Sequence, residues 1–434
     1  MTAPMLRAAC LGGAVLALRL GLAVGIDNGL GRTPPMGWRS WNLYKDHVDQ
    51  ALIEGIMRGF AERRRMVDGK PTSLCDLGYC DVGLDDAWQA CKSHSVSGHM
   101  YHYHDDKGRP VVNTHRFPNM TNMTFTAHSL NLTAGWYLNN CICAEKESAP
   151  EEMYEQDVYY LAKVFEFDAV KLDACGKQMD LNVWASLINK TGRKIMIENC
   201  HWGQTTPTQT WCPWNFFRTS DDITPTYGSV VANLQTTIRW AREGLSRPGC
   251  WAYPDMLEVG VEGLNEAETR SHFGAWCIVS SPLTLSHDVN DDAVSDAIWP
   301  VISNKEAIAV NQAWAGHSGS PFKESGRWIA LKKQDWSGRW VDVWVPSWQL
   351  FYKPLPGGKV AVLLMNHAWW DEDFTLYTHE VPGLECHPCR VRDVWGRSDR
   401  DDVEGELKTR VTSHDSGFFV LSPTHEAEPR TLLT

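Results

Sequence analysis

The 434-residue chain has little that would attract a polyanion. It contains 41 Lys and Arg against 53 Asp and Glu, which gives a formal net charge of −12. Because a surface that binds nucleic acid needs clustered cations to neutralise phosphates, this balance argues against nucleic acid as a partner. With 22% charged and 11% aromatic residues, the composition also excludes a disordered chain.

Long apolar runs are absent after the first 25 residues, and so are tandem repeats and low-complexity segments. Arg7 precedes an apolar stretch that is interrupted only by Arg19 and ends in small residues. This pattern predicts a signal peptide over residues 1–25 rather than a membrane anchor, because the stretch is short and contains a charge. We therefore expect no membrane span once the signal is removed.

The cysteines and sequons agree with export. Removing the signal deletes one of 13 cysteines and leaves an even number, which suits pairing in an oxidising compartment. Four Asn-x-Ser/Thr sequons follow, at Asn119, Asn122, Asn131 and Asn189. Together these features predict a glycoprotein of the secretory pathway, either secreted or vacuolar/lysosomal.

Short apolar runs alternate with amphipathic runs from about residue 34 to residue 312. Eight strand-like runs are predicted at 36–41, 79–84, 132–138, 169–174, 194–198, 216–220, 251–257 and 282–286. Helical patterns lie between them at 50–66, 151–165, 181–188, 230–242, 266–278 and 292–302. This rhythm is typical of a (β/α)8 barrel. An open doubly wound sheet ranks second, because no glycine-rich phosphate-binding motif follows the first strand.

The pattern changes after about residue 320. Seven short alternating runs, separated by Gly, Pro and Asp, predict an antiparallel β-sandwich. We therefore predict a signal peptide at 1–25, a (β/α)8 TIM-barrel catalytic domain at 26–316 and a C-terminal antiparallel β domain at 317–434.

Charged residues occur at predicted strand ends, where barrel enzymes carry their active sites. Lys171 and Asp173 are two residues apart and so share one face of a strand. A carboxylate beside an ammonium would keep a low pKa and stay ionised, as a nucleophile must, although a buried structural ion pair is the alternative. Arg218 and Asp222 also share a strand face, and Asp222 could supply the second carboxyl that glycoside hydrolysis requires.

Other strand ends carry further acids and tryptophans, of which the chain has 21. Asp85 and Asp86 could accept hydrogen bonds from sugar hydroxyls, ligate a hard cation or turn a loop. Asp255 follows a proline, where an aspartate ordinarily belongs to a turn. Trp38 and Trp41 could wall a sugar pocket, because an indole combines a large apolar face with an N–H donor, or could pack in the core.

One loop is crowded with potential metal ligands. They are Cys91, His94, His99, His102, His104, Asp105 and Asp106. The spacing matches no zinc pattern well, and cysteines of the secretory pathway are usually oxidised, so we expect no metal and no cofactor. Cys386 and Cys389 have no second pair in the C-terminal domain, which favours a local disulfide over a zinc or redox half-motif.

Six motifs follow one another along the chain, at 32–38 with Trp41, 84–86 with Trp88, 170–173, 200–203, 218–223 and 254–256. In this order they resemble the α-galactosidases of glycoside hydrolase family 27, a family that also includes α-N-acetylgalactosaminidases. The resemblance extends from about residue 26 through the last strands. Residues 394–396 and 413–416 are similar to the C-terminal domain of plant-like members.

The resemblance implies a retaining exo-α-galactosidase that acts by double displacement without a metal or cofactor. Asp173 would be the nucleophile and Asp222 the acid/base. Asp85 and Asp86 would bind O6 and O4 of the sugar, and the axial O4 is what separates galactose from glucose.

The resemblance also assigns sugar contacts to other residues. Lys171 and Arg218 would bind ring hydroxyls and tune the acids. Trp41 would wall the pocket, Tyr137 would line it, and Asp255 would complete the hydroxyl contacts.

The segment after the fifth strand resembles a loop that lies against O2 of the sugar, through Cys200 and Trp202. The bulk of Trp202 would crowd an N-acetyl group and so favour galactose. His201 stands where the family usually carries Glu, which leaves the fine substrate preference and the pH optimum open.

For the cysteines, the resemblance implies one disulfide from Cys175 to Cys141 or Cys143 and another from Cys200 to Cys212. The expected substrate is an α-galactoside oligosaccharide, polysaccharide or glycolipid, and the expected assembly is a monomer or homodimer. The alternatives are an α-N-acetylgalactosaminidase or β-L-arabinopyranosidase of the same fold, a catalytically silent sugar-binding glycoprotein, and a metal-dependent barrel hydrolase.

Overall fold

The computed structural model describes residues 28–91, 94–96, 99–146, 150–335 and 337–424, so the predicted signal peptide lies outside the described residues. The helices are α1 Trp41–Tyr44, α2 Gln50–Ala61, α3 Met120–Ser129, α4 Glu151–Tyr159, α5 Leu181–Lys190, α6 Tyr227–Gln235, α7 Ile238–Arg242, α8 Glu266–Ile278, α9 Asp292–Ile302 and α10 Lys305–Gln312. None of the helices in these ranges is long and apolar enough to span a bilayer.

The strands of the first two-thirds of the chain are β1 Met36–Arg39, β2 Arg65–Val67, β3 Lys70–Thr72, β4 Asp81–Gly83, β5 His94–Val96, β6 His99–Tyr101, β7 Thr133–Leu138, β8 Ala169–Asp173, β9 Met196–Cys200, β10 Phe216–Arg218, β11 Trp251–Tyr253 and β12 Leu283–Leu285. Those that follow are β13 Ser320–Glu324, β14 Trp328–Gln334, β15 Trp340–Pro346, β16 Trp348–Leu355, β17 Lys359–Asn366, β18 Glu372–Tyr377, β19 Cys389–Asp393, β20 Ser398–Val403, β21 Glu406–Val411 and β22 Ser416–Pro423.

Eight parallel strands form one curved sheet. The order is β12, β1, β4, β7, β8, β9, β10 and β11, and each pairing is parallel. The two ends of the sheet are joined where the backbone N–H of Leu257 donates to the carbonyl of Thr284 (2.8 Å). All eight predicted strands are present, so the prediction of a (β/α)8 barrel is confirmed.

The helices agree less closely with the prediction. The bounds of α8 and α9 are as predicted, but α2 ends at Ala61 rather than at residue 66. The chain forms the β2–β3 hairpin there, and its turn residues Asp68 and Gly69 both have positive φ. An Asp-Gly pair favours such a turn. Helix α3 was not predicted, because the three threonines among its ten residues give it low intrinsic helix propensity.

Strand β8 illustrates how the barrel divides its residues. Val170 and Leu172 pack in the hydrophobic core, whereas Lys171 and Asp173 line a cavity at the strand's carboxyl end. Alternate residues of a strand point to opposite faces. The apolar pair therefore fixes the strand against the surrounding helices, and the same geometry sends the charged pair inward.

The C-terminal domain contains a six-stranded antiparallel sheet with the order β13, β16, β17, β22, β19 and β20. The pair β18–β21 packs on one face through Phe374, Leu376 and Leu407. Leu363 and Phe418, on the other face, belong to the core cluster that includes α8 of the barrel domain. The predicted antiparallel sandwich is confirmed, although β13, β16 and β20 were not predicted. Strand β20 is charged at four of six positions, which suits an exposed edge strand.

The hairpin β14–β15 is separate from the six-stranded sheet. Its inner face, with Ile329, Leu331 and Val345, packs against Tyr227 and Val231 of α6. This contact carries the hairpin from the C-terminal domain onto the barrel, so that the hairpin lies over the carboxyl ends of the barrel strands.

Five disulfides join described residues. They are Cys75–Cys80, Cys91–Cys143, Cys141–Cys175, Cys212–Cys250 and Cys386–Cys389. The predicted pairing of Cys175 with one of two cysteines is confirmed, and so is the local pair in the C-terminal domain. The expected bridge from Cys200 to Cys212 is wrong. Cys212 pairs with Cys250, both residues preceding neighbouring strands, whereas Cys200 and Cys277 are free and buried.

We expect peptide mapping of the unreduced protein to find Cys212 linked to Cys250. An alkylating reagent should label Cys200 and Cys277 only after unfolding, because neither thiol is exposed in the folded chain. Labelling of the native protein serves as the control. A linked peptide that contains Cys200 and Cys212 would contradict this pairing.

Candidate active site

A cavity of about 370 Å³ opens at the carboxyl ends of the barrel strands. Ten of the eleven residues that the sequence predicted to form a site line it. They are Trp41, Asp85, Asp86, Tyr137, Lys171, Asp173, Trp202, Arg218, Asp222 and Asp255. These residues lie on or directly after seven different strands, so no single stretch of sequence contains the site. The eleventh, Cys200, does not line the cavity.

Asp173 is held at the end of β8 by three groups. The hydroxyl of Tyr137 donates to Oδ2 (2.8 Å), the backbone N–H of Ala174 donates to Oδ1 (2.8 Å), and Nζ of Lys171 lies 4.0 Å from Oδ2. Burial raises the pKa of Asp173 to about 6, and the three groups only partly oppose it. The low pKa predicted from the sequence is therefore wrong, because burial outweighs the ammonium of Lys171, which itself pairs more closely with Asp85, at 2.9 Å.

Asp86 differs from Asp85 in how many hydrogen bonds it already accepts. Its Oδ2 accepts from the backbone N–H groups of Cys141 and Ile142, and its Oδ1 accepts from Ala87 and Gln89. Since a carboxylate has about four acceptor sites, Asp86 is satisfied and holds the loop after β7. Asp85 keeps more acceptor capacity, with Lys171 on one oxygen and the Asp86 N–H on the other.

Arg218 lies between two acids on the opposite part of the rim. Its Nη2 is 3.0 Å from Oδ1 of Asp222 and 2.9 Å from Oδ2 of Asp255. The indole of Trp202 also donates to Asp222 (3.2 Å). Burial opposes ionisation of Asp222, but Arg218 prevails and lowers its pKa, whereas burial raises the pKa of Asp255 despite the same guanidinium. Exposure explains the difference, because the Asp222 side chain is 53% exposed and that of Asp255 only 5%.

Backbone strain is concentrated around the cavity. Ala87, Trp202 and Asp255 have φ values of 80°, 46° and 86°. Positive φ is uncommon for residues other than glycine, and it persists where the surrounding structure enforces it, often at functional sites. At Asp255 the enforcement is visible, because Oδ2 accepts from the Ile223 N–H and Oδ1 from the Met256 N–H.

Cys200 and His201 do not line the cavity but contact residues close to it. Cys200 is buried, and its sulfur lies 3.4 Å from Nη1 of Arg218. His201 is also buried, with Nδ1 2.8 Å from the hydroxyl of Thr205, and burial lowers its pKa to about 4. The imidazole is therefore neutral at ordinary pH and fixes the loop that carries Trp202.

Several lining residues were not predicted. Asn42 and Lys45 follow Trp41 in and after the short helix α1, and Asn42 donates to the buried carboxyl of Glu258 (2.6 Å). Asp335 and Gly338 come from the turn of the β14–β15 hairpin. The helical turn after the first strand end could have indicated Asn42. No local pattern could have shown that a turn 160 residues beyond β8 returns to the barrel.

The described residues of the histidine-rich loop do not come together in one site. Cys91 is in a disulfide with Cys143, and Asp105 pairs with Arg109. The side chains of His94 and His99 lie outside the described part. Among described residues, the one grouping of potential ligands is Cys141, Asp173 and Cys175, and its two cysteines are joined to each other.

His104, from the same loop, has a buried ionic environment instead. Its Nδ1 lies 3.2 Å from Oε1 of Glu145 and its Nε2 lies 3.1 Å from Oδ1 of Asp157. Burial lowers the pKa of an imidazole, but the two acids prevail and raise that of His104 to about 9. Asp157 also accepts from Gln178 (2.6 Å). The network joins the loop after β4 to α4 and to the segment after β8.

Comparison with known proteins agrees with this architecture. A family model described as "Alpha galactosidase A" matches residues 33–313, and one described as "Alpha galactosidase C-terminal beta sandwich domain" matches residues 346–421. The "Alpha-galactosidase" of Oryza sativa subsp. japonica is 31% identical over 407 residues, which cover 92% of this chain and 86% of the relative. That of Cyamopsis tetragonoloba is 30% identical over 408 residues, covering 92% and 88%.

A solved structure shares the fold. The crystal structure of alpha-galactosidase I from Mortierella vinacea gives a TM-score of 0.74 at 24% identity and covers 93% of this chain and 100% of that chain. The barrel, the acid-lined cavity at its strand ends and these matches define a glycoside hydrolase. The chain belongs to the α-galactosidase family, glycoside hydrolase family 27.

We expect the replacement His104→Gln to destabilise the fold by roughly 3–5 kcal/mol at pH 6, because it leaves two buried carboxylates without their cation. The folded pKa of about 9 exceeds the ordinary value of 6.5. The wild-type stabilisation is therefore fully present below pH 6.5 and is lost as the pH rises through 9. Urea unfolding at pH 6 and pH 9.5 measures the difference.

The matched control is His128→Gln, which removes a surface pair with Asp168 (2.8 Å) and should cost at most about 1 kcal/mol. An equal loss of stability for His104→Gln at both pH values would show that the imidazole is neutral in the folded chain.

Proposed function

We propose that the protein is a retaining exo-glycosidase that hydrolyses terminal non-reducing α-D-galactosyl residues, with Asp173 as nucleophile and Asp222 as acid/base. The observation that carries the proposal is that both carboxyls line one cavity from separate strand ends. Each lies beside its own buried cation, Lys171 or Arg218. Two carboxyls on one cavity are what double displacement at a sugar requires.

In the first step, a carboxylate oxygen of Asp173 forms a bond to the anomeric carbon while the bond from that carbon to the aglycone oxygen breaks. Asp222 gives its proton to the leaving oxygen. In the second step, Asp222 takes a proton from water, the water oxygen bonds to the anomeric carbon, and the bond to Asp173 breaks. Two inversions release galactose in the α configuration.

The hydrogen bonds of Asp173 suit its proposed role. Tyr137 and the Ala174 N–H fix the carboxylate, so little reorganisation is needed before attack. Asp222 must carry a proton to act as an acid, although Arg218 lowers its pKa in the open cavity. A bound sugar would cover its half-exposed side chain and exclude water, which raises the pKa of a carboxyl. Substrate binding would thus favour protonation of Asp222.

The other lining residues would recognise galactose. Asp85 has free acceptor capacity and is held by Lys171, so we assign it a hydroxyl contact, whereas Asp86 mainly positions the loop beside it. Trp202 would crowd an N-acetyl group at the rim. A cavity framed by strand ends on several sides fits a terminal sugar better than the middle of a chain.

We also propose that the protein matures in the secretory pathway, with residues 1–25 as its signal peptide. All four sequon asparagines are exposed, as glycosylation requires. The five disulfides suit an oxidising compartment.

We expect Asp173→Asn to lower kcat on an aryl α-galactoside by about 10³-fold or more, because the amide is a poor nucleophile. For Asp222→Asn the loss should be much smaller with a dinitrophenyl leaving group, which needs no proton, than with an oligosaccharide. NMR of the first product should show α-galactose. Asp221→Asn, which changes the exposed neighbour of Asp222, is the matched control and should be active.

The proposal is refuted if Asp173→Asn retains activity close to that of Asp221→Asn, or if β-galactose appears first. Hydrolysis of aryl α-N-acetylgalactosaminide or β-L-arabinopyranoside in preference to the α-galactoside would keep the mechanism and change the substrate.

We expect kcat/KM to fall as the pH drops below about 6, because protonation of Asp173 removes the nucleophile. Tyr137→Phe removes a hydrogen bond that favours the carboxylate, so the acidic limb of the profile should move to higher pH. Tyr154→Phe changes a tyrosine on α4 whose hydroxyl accepts from the Asp180 N–H, and it should leave the limb in place. A profile unchanged by Tyr137→Phe would assign the limb to another group.

A further inference from the structure

The outer face of the β14–β15 hairpin exposes three tryptophans. Trp328, Trp340 and Trp344 are 56%, 58% and 64% exposed. The opposite face of the same hairpin is covered by α6. Exposing three large indoles on one short hairpin is costly, because each leaves apolar surface in water, and contiguous exposed apolar surface commonly marks an interaction site.

The strand register arranges these indoles in a row. Trp344 is opposite Ala330 and Trp328 is opposite Pro346, so the two tryptophans are diagonal neighbours at the end away from the turn. Trp340 is opposite Gln334 beside the turn. Since a strand rises about 3.4 Å per residue, Trp340 and Trp344 are about 14 Å apart along it.

Polar groups lie between the indoles. Lys332 and Asp342 are opposite each other and form an ion pair of 2.5 Å, and Gln334 is next along the strand. Indole rings and hydrogen-bonding side chains therefore alternate along the outer face of the hairpin.

The row begins at the mouth of the active-site cavity. Asp335 and Gly338, in the turn that joins the two strands, line that cavity. Among the described residues of this turn, Oδ1 of Asp335 accepts from the N–H groups of Ser337 (2.9 Å) and Arg339 (3.0 Å). The hydroxyl of Thr224, from the barrel, donates to the carbonyl of Gln334 (3.4 Å). The hairpin face is thus a continuous extension of the cavity rim.

We propose that this face binds the backbone of a galactosylated polysaccharide whose α-galactosyl branch enters the cavity. The proposal rests on the proposed function and names the class of substrate for that site. A sugar ring has an apolar C–H face and a rim of hydroxyls, so it can stack on an indole while its hydroxyls bond to neighbouring polar groups. The row would hold several consecutive sugar units of the backbone.

Other occupants fit the face less well. The Lys332–Asp342 pair lies in the middle of the row, whereas the core of a protein interface is depleted of charged residues. An acyl chain would gain nothing from that ion pair, and the net charge of −12 opposes an anionic membrane surface. A hydroxyl-rich chain needs no desolvation of the pair and can bond to it.

The test compares a small substrate with a polymeric one. For Trp340→Ala, Trp344→Ala and the double variant, we expect kcat/KM on 4-nitrophenyl α-galactoside to stay within about twofold of wild type, since an exposed residue away from the cavity lining is changed. On galactomannan, a β-mannan with α-galactosyl branches, we expect KM to rise about tenfold for the double variant.

Two matched variants separate stacking from folding. Trp344→Phe keeps an aromatic ring that can stack on a sugar, so it should retain most of the affinity for galactomannan. Phe125→Ala removes an equally exposed aromatic side chain, 68% exposed on α3, and should behave as wild type with both substrates.

Binding is measured separately from catalysis. Asp173→Asn should be retarded in native gels that contain galactomannan, and the retardation should be reduced when the two hairpin alanines are added. If the wild type does not hydrolyse the aryl galactoside, the proposed function fails while the gel still tests the face.

Three outcomes would overturn the proposed face. The first is that the double variant has the same KM on galactomannan as the wild type and that the two hairpin alanines do not reduce retardation in the gel. The second is a wild-type dimer, by light scattering, that the double variant converts to a monomer, because the face would then be an interface between two copies. The third is a loss of activity in the double variant that occurs only with a galactosyl lipid in micelles as substrate.

Discussion

The candidate active site depends on the placement of two buried cations, Lys171 and Arg218, among several acids. Lys171 pairs with Asp85 at 2.9 Å and lies 4.0 Å from Asp173, and Arg218 is shared by Asp222 and Asp255. Buried carboxylates would otherwise be costly in free energy, since an unpaired buried charge is strongly destabilising. The cations therefore make it possible for the barrel to collect acids from several strands in one cavity.

The two cations affect their acids differently, and exposure decides how. Asp173 is almost fully buried, so burial prevails and raises its pKa to about 6 even though an ammonium is near. Asp222 keeps contact with solvent, so Arg218 prevails and lowers its pKa. A ligand that fills the cavity changes the exposure of Asp222 far more than that of Asp173. Covering the cavity would therefore change the pKa of Asp222 more than that of Asp173, without movement of either strand.

How much could be predicted from the sequence depended on whether the signal was local. The rhythm of the apolar runs predicted the eight strands, and alternation along β8 placed Lys171 and Asp173 on one face at the barrel mouth. Tyr137 and Trp202 were expected at the cavity only from the resemblance to the family. The pKa of Asp173 was not predictable, because it depends mainly on how deeply the folded chain buries this carboxyl, which no local pattern shows. The Cys212–Cys250 pair likewise reflects the proximity of two neighbouring strands rather than a local pattern.

The contribution of the C-terminal domain to the cavity follows from how rigidly that domain is attached. Leu363 and Phe418 of its sheet share a core cluster with the barrel domain. Lys353 of β16 is buried, and its Nζ donates to the carbonyls of Val310 and Asn311 at the end of α10. These contacts hold the sandwich in one orientation. The β14–β15 hairpin lies between β13 and β16 of that sandwich in the chain, so its turn is kept at the cavity mouth. The second domain thus does more than complete the hydrophobic core, since it supplies Asp335 and Gly338 to the lining of the cavity.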